Sequence, residues 1–166
     1  MNISIIYVSQ TGNTETAAEF ITDGILAAHP FIRVKAMNLR ENELDPAFLQ
    51  SSDAVIFGSP VYYAGMSWEL KKWFDHSFKV DLSGKLGAVF VTAQDPSGGT
   101  DTAIMDIMRH MILKGMLVFS GTKKGSPYKF QAGAVGVASR LDDEAARFEA
   151  FGACVAETAV KLFGNK

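Results

Sequence analysis

The 166-residue sequence has few of the residues on which stapled, metal-binding or nucleic-acid-binding domains depend. Cys154 is its single cysteine, so an internal disulfide and a cysteine-ligated metal or iron–sulfur site within one chain are excluded. Its 16 Lys and Arg are fewer than its 18 Asp and Glu, and the formal net charge is −2. That balance gives no basic surface for nucleic acid and no strong field to steer a charged partner. The three histidines fit structural or surface positions, and no metal site is expected.

Long hydrophobic runs are also missing. No stretch approaches the about 20 apolar residues of a membrane span. The first run, which ends at Val8, has no basic segment before it and is too short for a secretory signal, so a cytoplasmic protein without a membrane span is expected. The 48% hydrophobic and 20% charged residues are typical of a globular chain. With no repeat, low-complexity tract or linker in the sequence, residues 1–166 are expected to form a single domain.

Apolar runs of strand length recur along the chain. They span residues 3–8, 32–37, 54–57, 86–91 and 116–119. Most are continuous, as in strands that are buried on both faces, and segments with helical spacing lie between them. The last such segment predicts a helix from about Asp142 to Leu162. This alternation predicts an α/β fold with a doubly wound five-stranded parallel sheet, strand order 2-1-3-4-5 and helices on both faces. The irregular stretch from Gly121 to Arg140 is expected to fold over one edge as a loop.

The turn after the first predicted strand is almost entirely polar, with the sequence Ser9-Gln10-Thr11-Gly12-Asn13-Thr14. In a doubly wound sheet, ligands bind beyond the carboxyl ends of the strands, at the switch point between strands one and three. Hydroxyl and amide side chains, together with the amides of the first helical turn, can hold a phosphate group without lysine or arginine. The lysine-containing loop of NTPases and the GxGxxG fingerprint are both absent. Simple helix capping is the alternative, although capping needs only one such residue.

The ends of predicted strands three and four are also unusual. Pro60-Val61-Tyr62-Tyr63-Ala64-Gly65 offers tyrosines against which a planar ring could stack. Thr92-Ala93-Gln94-Asp95 continues through Pro96 and Ser97 to Gly98 and Gly99, whose amides could approach a ring edge closely. Either loop alone is weak evidence, because Tyr62 and Tyr63 could be ordinary surface or interface aromatics. Beside a phosphate site, the two loops together indicate FMN.

Over essentially the whole chain, the sequence resembles the flavodoxin-like proteins. SQTGNTE at residues 9–15 resembles the flavodoxin phosphate loop [ST]xTGNTE. The segments GSPVYYAGMSWELKKWFDHS, SGKLGAVFVTAQDPSGG, KKGSPY and AVKLFG resemble the FMN-dependent NAD(P)H:quinone oxidoreductases first described as Trp-repressor-binding proteins. The resemblance implies a flavodoxin-like fold and FMN bound by Ser9, Gln10, Thr11, Gly12, Asn13, Thr14, Pro60, Val61, Tyr62, Tyr63, Ala64, Gly65, Thr92, Ala93, Gln94, Asp95, Gly98 and Gly99.

The chain departs from the quinone-reductase branch in three places. Residues 39–52 are shorter than the insertion associated with the tetramer of that branch, so a homodimer is expected and a tetramer is left in doubt. Lys114 stands where that branch commonly has histidine, and Tyr62-Tyr63-Ala64-Gly65 replaces its typical Arg-Phe-Gly-Asn. Substrate preference therefore does not carry over from the resemblance.

Two functions fit these observations. One is an FMN-dependent oxidoreductase that takes hydride from NAD(P)H, a transient donor, and passes electrons to a quinone or similar small acceptor. The alternative is a flavodoxin-type one-electron carrier without NAD(P)H oxidation. Such carriers are usually strongly acidic, whereas the net charge of this chain is only −2. Amides of the glycine-rich loop after the fourth strand would also stabilise negative charge on a reduced ring. For both reasons the sequence favours the enzyme. No catalytic side chain is predicted, because the chemistry would take place on FMN.

Three further residues have open roles. Trp68 lies off the apolar face of its predicted helix, so it is expected to line the ring pocket, a dimer contact or plain surface. Tyr128 matches a loop that lies near the subunit interface in the quinone-reductase branch. Cys154 is expected to be an inert core residue.

Overall fold

Strands and helices alternate along the chain as the sequence predicts. The structure is a computed structural model that describes residues 1–41 and 44–164. In this part of the chain the strands are β1 Asn2–Tyr7, β2 Arg33–Asn38, β3 Ala54–Tyr62, β4 Gly65–Met66, β5 Leu86–Ala93, β6 Leu117–Val118 and β7 Ala134–Val137. The α-helices are α1 Asn13–Ala28, α2 Pro46–Ser51, α3 Trp68–His76, α4 Thr100–Leu113 and α5 Ala145–Phe163. None of these helices is long and apolar enough to cross a membrane.

The main sheet has the order β2-β1-β3-β5-β6, and neighbouring strands along it are parallel. The short β4 pairs antiparallel with the end of β3 and does not lie in this path. With β4 set aside, the predicted strand order 2-1-3-4-5 is confirmed. Because β1, β3 and β5 are parallel, their carboxyl ends lie at one edge of the sheet. The strand order reverses between β1 and β3, and such a switch point leaves a crevice at that edge.

The fifth strand of the sheet is split into two pieces. β6 pairs with the start of β5, at Leu86 and Gly87, whereas β7 pairs with its end, from Phe90 to Ala93. The prediction that the whole of residues 121–140 is a loop was therefore wrong for residues 134–137. The sequence did not predict this strand because it has only four residues, one of which is a glycine. Gly136 is needed there, since a Cβ would lie 2.7 Å from the Leu141 Cδ1 atom and 2.8 Å from the Phe148 ring.

The segment that joins β6 to β7 is anchored to the core by Phe130. The Thr122 hydroxyl donates to the Phe130 carbonyl at 2.6 Å and accepts from the Phe130 amide at 2.7 Å. The Phe130 ring is fully buried and stacks edge-on against Phe151 of α5, with 5.1 Å between the ring centroids. This anchor lets the chain leave the sheet after β6 and return to it at β7.

Helices cover both faces of the sheet because alternate strand residues face opposite sides. Ile3 and Ile5 pack with α1 and α5, in a core that includes Ile21 and Phe148. Ile6, one residue further along β1, packs instead with α2, α3 and α4. Cys154 is buried in α5, and burial raises the pKa of its thiol, as expected for an inert core cysteine.

Candidate functional site

The first loop turns sharply at Gly12 before α1 begins. Gly12 has φ +92°, a left-handed conformation that favours glycine. The Ser9 hydroxyl accepts a hydrogen bond from the Glu15 amide at 3.3 Å and so satisfies one amide of the first helical turn. The Ser9 amide in turn donates to the Asn38 Oδ1 atom at 3.3 Å. The loop is therefore fixed by its own serine and by a buried side chain from the end of β2.

The second loop is a hairpin between β3 and β4. Tyr62 pairs with Gly65, and the two residues between them, Tyr63 and Ala64, have φ +48° and +63°. Positive φ at both central positions identifies a type I′ turn, which normally carries asparagine or glycine. Two non-glycine residues in this conformation are a source of backbone strain, of the kind that collects at ligand sites. The Tyr62 hydroxyl donates to the Gln10 Oε1 atom at 3.3 Å and links the hairpin to the first loop.

The third loop is held together by Asp95. Its Oδ1 atom accepts from the Ser97 amide at 2.8 Å and from the Ser97 hydroxyl at 2.5 Å. The hydrogen bond from the Ser97 hydroxyl, followed by that from its amide, holds the Asp95 pKa below its ordinary value. The Gly98 amide donates to the Asp95 carbonyl at 3.0 Å. Asp95 thus closes the loop internally.

The hairpin and the third loop touch at Gly99. Gly99 has φ +93°, and a Cβ built on it would lie 2.4 Å from the Ala64 Cβ atom. Only a residue without a side chain allows this approach. The strained turn and the third loop are therefore packed against each other at the rim of the site.

The three loops enclose one cleft of about 270 Å³. It is lined by Gln10, Thr11, Asn13, Thr14, Pro60, Val61, Tyr62, Thr92, Ala93, Gln94 and Ala138. The first ten were predicted as site residues. Ser9, Gly12, Tyr63, Ala64, Gly65, Asp95, Gly98 and Gly99 belong to the same loops but are not among the lining residues. Tyr63 is fully exposed at the tip of the hairpin.

Ala138 was missed by sequence reasoning. It directly follows β7, so recognition of that short strand would have placed it at the same edge of the sheet. A smaller polar cleft of about 240 Å³ begins beside it, with Asn13 and Arg140 among its lining residues. Arg140 is paired with Glu144 at 3.0 Å through its Nε atom.

The lining residues suit a phosphate group at one end of the cleft and an uncharged ring at the other. Thr11, Asn13 and Thr14 bring hydroxyl and amide donors next to the start of α1, where backbone amides and the helix dipole favour an anion. Pro60, Val61 and Ala93 form an apolar stretch beside the Tyr62 ring. Among the described residues, no charged side chain lines the cleft. The donor set therefore fits FMN, whose phosphate would be held by neutral donors.

Other residues singled out in the sequence lie outside this cleft. Trp68 is exposed and lines a separate groove with Trp73 and His76. Tyr128 is half-buried and packs against Phe130. Within residues 1–41 and 44–164, no group of three or more His, Cys, Asp or Glu side chains could hold a metal ion.

The chain belongs to a protein family with the flavodoxin-like fold, whose family model matches residues 1–151. A protein named flavodoxin from Clostridium saccharobutylicum is 42% identical over 163 residues, which cover 98% of this chain and 100% of that protein. A protein named NAD(P)H dehydrogenase (quinone) from Archaeoglobus fulgidus is 30% identical over 189 residues, covering 96% of this chain and 98% of that protein. The resemblance seen in the sequence, to flavodoxins and to the quinone-reductase branch, is confirmed.

Solved structures agree with the fold. The WrbA-like flavodoxin from Agrobacterium tumefaciens has a TM-score of 0.79 at 23% identity, covering 97% of this chain and 98% of that one. A flavodoxin from the domain Archaea has a TM-score of 0.78 at 22% identity, with 96% and 99% covered. At these identities the likeness shows the flavodoxin-like fold.

Proposed function

We propose that this protein binds FMN in the cleft formed by the three loops and transfers electrons through it. The observation that carries this proposal is the meeting of a neutral donor loop, a tyrosine hairpin and the end of β5 at the switch point of the sheet. FMN, when bound, supplies the redox chemistry. The chain supplies binding, orientation and control of access to the ring.

The phosphate would lie against residues 9–14 and the ring against residues 60–65 and 92–99. The hydrogen bond from the Tyr62 hydroxyl to Gln10 ties these two ends of the site together. The Ser9 hydroxyl accepts a hydrogen bond from the Glu15 amide, and this bond would hold the phosphate loop in its bent conformation. These roles extend the sequence prediction with contacts that only the fold brings together.

The carrier function is the mode of electron transfer that we favour. The relative named flavodoxin matches at 42% identity over the full length of both chains. The glycine-rich loop also offers fewer donors to a ring than the sequence suggested, since the Ser97 amide donates to the Asp95 side chain and the Gly98 amide to the Asp95 carbonyl. Two amides that could have stabilised negative charge on a reduced ring are thus already used. This weakens the argument for two-electron chemistry that rests on the amides of this loop.

The second candidate is an NAD(P)H:quinone oxidoreductase that uses NAD(P)H as a transient donor. It is supported by relatives named NAD(P)H dehydrogenase (quinone), one of which is 30% identical over 96% of this chain. A small-molecule acceptor and a homodimer belong to this candidate. The fully exposed Tyr63 ring at the tip of the hairpin would offer such a planar acceptor or donor a face to stack against.

An anaerobic titration of the FMN-loaded protein separates the two candidates. NADH and then NADPH are added while the visible absorbance of the flavin is followed, with free FMN as the control; dithionite is then added stepwise with detection by electron paramagnetic resonance. For a carrier we expect no bleaching by either nucleotide and a strong paramagnetic signal at half reduction. Rapid bleaching by one nucleotide, reversed by benzoquinone, would establish the reductase instead. A protein that does not retain FMN would overturn both candidates.

A further inference from the structure

Two buried threonine hydroxyls connect the first and third loops at the floor of the cleft. The Oγ1 atoms of Thr14 and Thr92 lie 2.8 Å apart, although the residues are 78 positions apart in the sequence. Their exposed fractions are 2% and 3%. Both residues line the cleft, so this almost fully buried pair lies at the site.

The two threonines are held in different ways. Thr14 is the second residue of α1 and belongs to the first loop. Thr92 lies inside β5, where it pairs with Pro60 of β3 on one side and with Gly136 of β7 on the other. Its backbone is therefore fixed by the sheet on both sides. Thr92 is the rigid member of the pair, and Thr14 belongs to the loop that would contact an anion.

Proton counting decides which hydroxyl donates when an anion is bound. Each hydroxyl carries one proton, and a phosphate oxygen facing the site accepts hydrogen bonds. If the Thr14 proton goes to the phosphate, its Oγ1 atom is left as the acceptor for Thr92. The Thr92 proton is then used on Thr14 and is not available to a flavin ring.

We propose that Thr92 is a positioning residue for the phosphate: its hydroxyl donates to Thr14 and turns the Thr14 hydroxyl towards the phosphate monoester. This inference rests on the proposed function and deepens it. It also reassigns Thr92, which the sequence grouped with the ring-binding loop. A hydrogen bond to a charged acceptor is stronger than one to a neutral acceptor. Correct orientation of the Thr14 hydroxyl therefore contributes mainly to the affinity for the phosphate group.

The test compares FMN with riboflavin, which carries the same ring but no phosphate, by titration of flavin fluorescence. The variants are Thr92→Val, Thr92→Ser, Thr14→Val and the double variant Thr14→Val/Thr92→Val. Thr22→Val is the matched control, because its hydroxyl makes one comparable bond, to the Ala18 carbonyl at 2.8 Å, further along α1. Thermal unfolding of each flavin-free variant reports whether it is folded.

We expect Thr92→Val to weaken FMN binding by about tenfold, the size of one well-made hydrogen bond, with riboflavin binding changed less than about twofold. Thr92→Ser restores FMN binding, because it keeps the hydroxyl. The double variant binds FMN no more weakly than Thr14→Val alone, because Thr92 acts through Thr14. Thr22→Val leaves both affinities unchanged.

Equal weakening of FMN and riboflavin by Thr92→Val would overturn the inference, since Thr92 would then act on the ring or on the fold. Additive effects in the double variant would overturn it too. Failure of the proposed function is seen separately, in the wild-type protein. A wild-type chain that binds neither flavin would overturn the proposed function and the inference together.

Discussion

At the scale of single residues, Gly99 controls how closely the third loop can approach the hairpin. Its left-handed backbone and the 2.4 Å distance from a built Cβ to the Ala64 Cβ atom both demand glycine. We predict that Gly99→Ala lowers the free energy of unfolding by about 1–3 kcal/mol, through overpacking and the cost of positive φ, and weakens FMN binding. Chemical denaturation and a flavin titration measure the two effects.

Gly65→Ala is the control for Gly99→Ala. Gly65 lies in the same rim, but a Cβ there would meet nothing nearer than the Tyr62 carbonyl at 3.7 Å, and Gly65 is not among the glycines with positive φ. It should change stability much less. Equal losses in the two variants would show that the contact between Gly99 and Ala64 does not shape the rim.

The carboxylate of Asp95 makes the third loop sensitive to acid. Its pKa is lowered by the Ser97 hydroxyl and then by the Ser97 amide, so the folded loop prefers the charged form. Such a group stabilises the loop above its unfolded pKa of about 3.9, and this contribution is lost as the pH falls through the lower folded value. We predict that Ser97→Ala raises the pKa of Asp95 towards its ordinary value. Carbon NMR of the Asp95 carboxyl measures the change, and an unaltered midpoint would contradict the assignment.

At the scale of elements, the hairpin turn carries strain that its residues do not relieve. Tyr63 and Ala64 both have left-handed φ in a turn that favours Asn-Gly. We predict that Tyr63→Asn with Ala64→Gly raises the free energy of unfolding by about 0.5–1 kcal/mol, measured by denaturant titration. Tyr63→Ala is the control, because it removes the exposed ring but keeps a side chain at positive φ. No gain over that control would show that the turn is unstrained.

Helices α1 and α5 cross at two glycines that allow their backbones to touch. A Cβ on Gly24 would lie 2.0 Å from the Glu149 carbonyl oxygen, and one on Gly152 would lie 2.2 Å from the Ile21 carbonyl oxygen. A glycine-to-alanine change inside a helix ordinarily stabilises it by about 1 kcal/mol. Here we predict the opposite sign, a loss of about 1–3 kcal/mol for Gly24→Ala or Gly152→Ala in denaturant titration.

Asp23→Ala serves as the control for the helix crossing, because Asp23 is exposed on α1 next to Gly24. It should leave stability within about 0.5 kcal/mol of the wild type. Stabilisation by Gly24→Ala would mean that the two helices are further apart than their glycines indicate.

At the scale of the whole molecule, the sheet order and the position of the cleft could be predicted because they follow from strong local signals. Continuous apolar runs such as Ile3 to Val8 mark buried parallel strands, and a polar turn after the first strand marks the switch point. β7 could not be predicted, because four residues with an internal glycine carry no clear period. The pairing of β4 with β3 could not be predicted, because Tyr63 and Ala64 are not typical residues of a tight hairpin turn.

The contacts between the loops could not be predicted from the sequence for another reason. The hydroxyl pair of Thr14 and Thr92 and the bond from Tyr62 to Gln10 join residues 78 and 52 positions apart. No spacing within a single element encodes such pairs. The hydrogen bond from the Gly98 amide to the Asp95 carbonyl likewise depends on local geometry that the sequence does not reveal. This bond is one of the reasons for which we favour the carrier over the reductase.

A crystal structure of the protein soaked or grown with FMN tests the central claim most directly. We predict one FMN per chain, with its phosphate within hydrogen-bonding distance of residues 9–14 and its ring between Tyr62 and the end of β5. A phosphate bound elsewhere, for example in the groove beside Trp68, or a ring that does not contact Tyr62, would contradict the account.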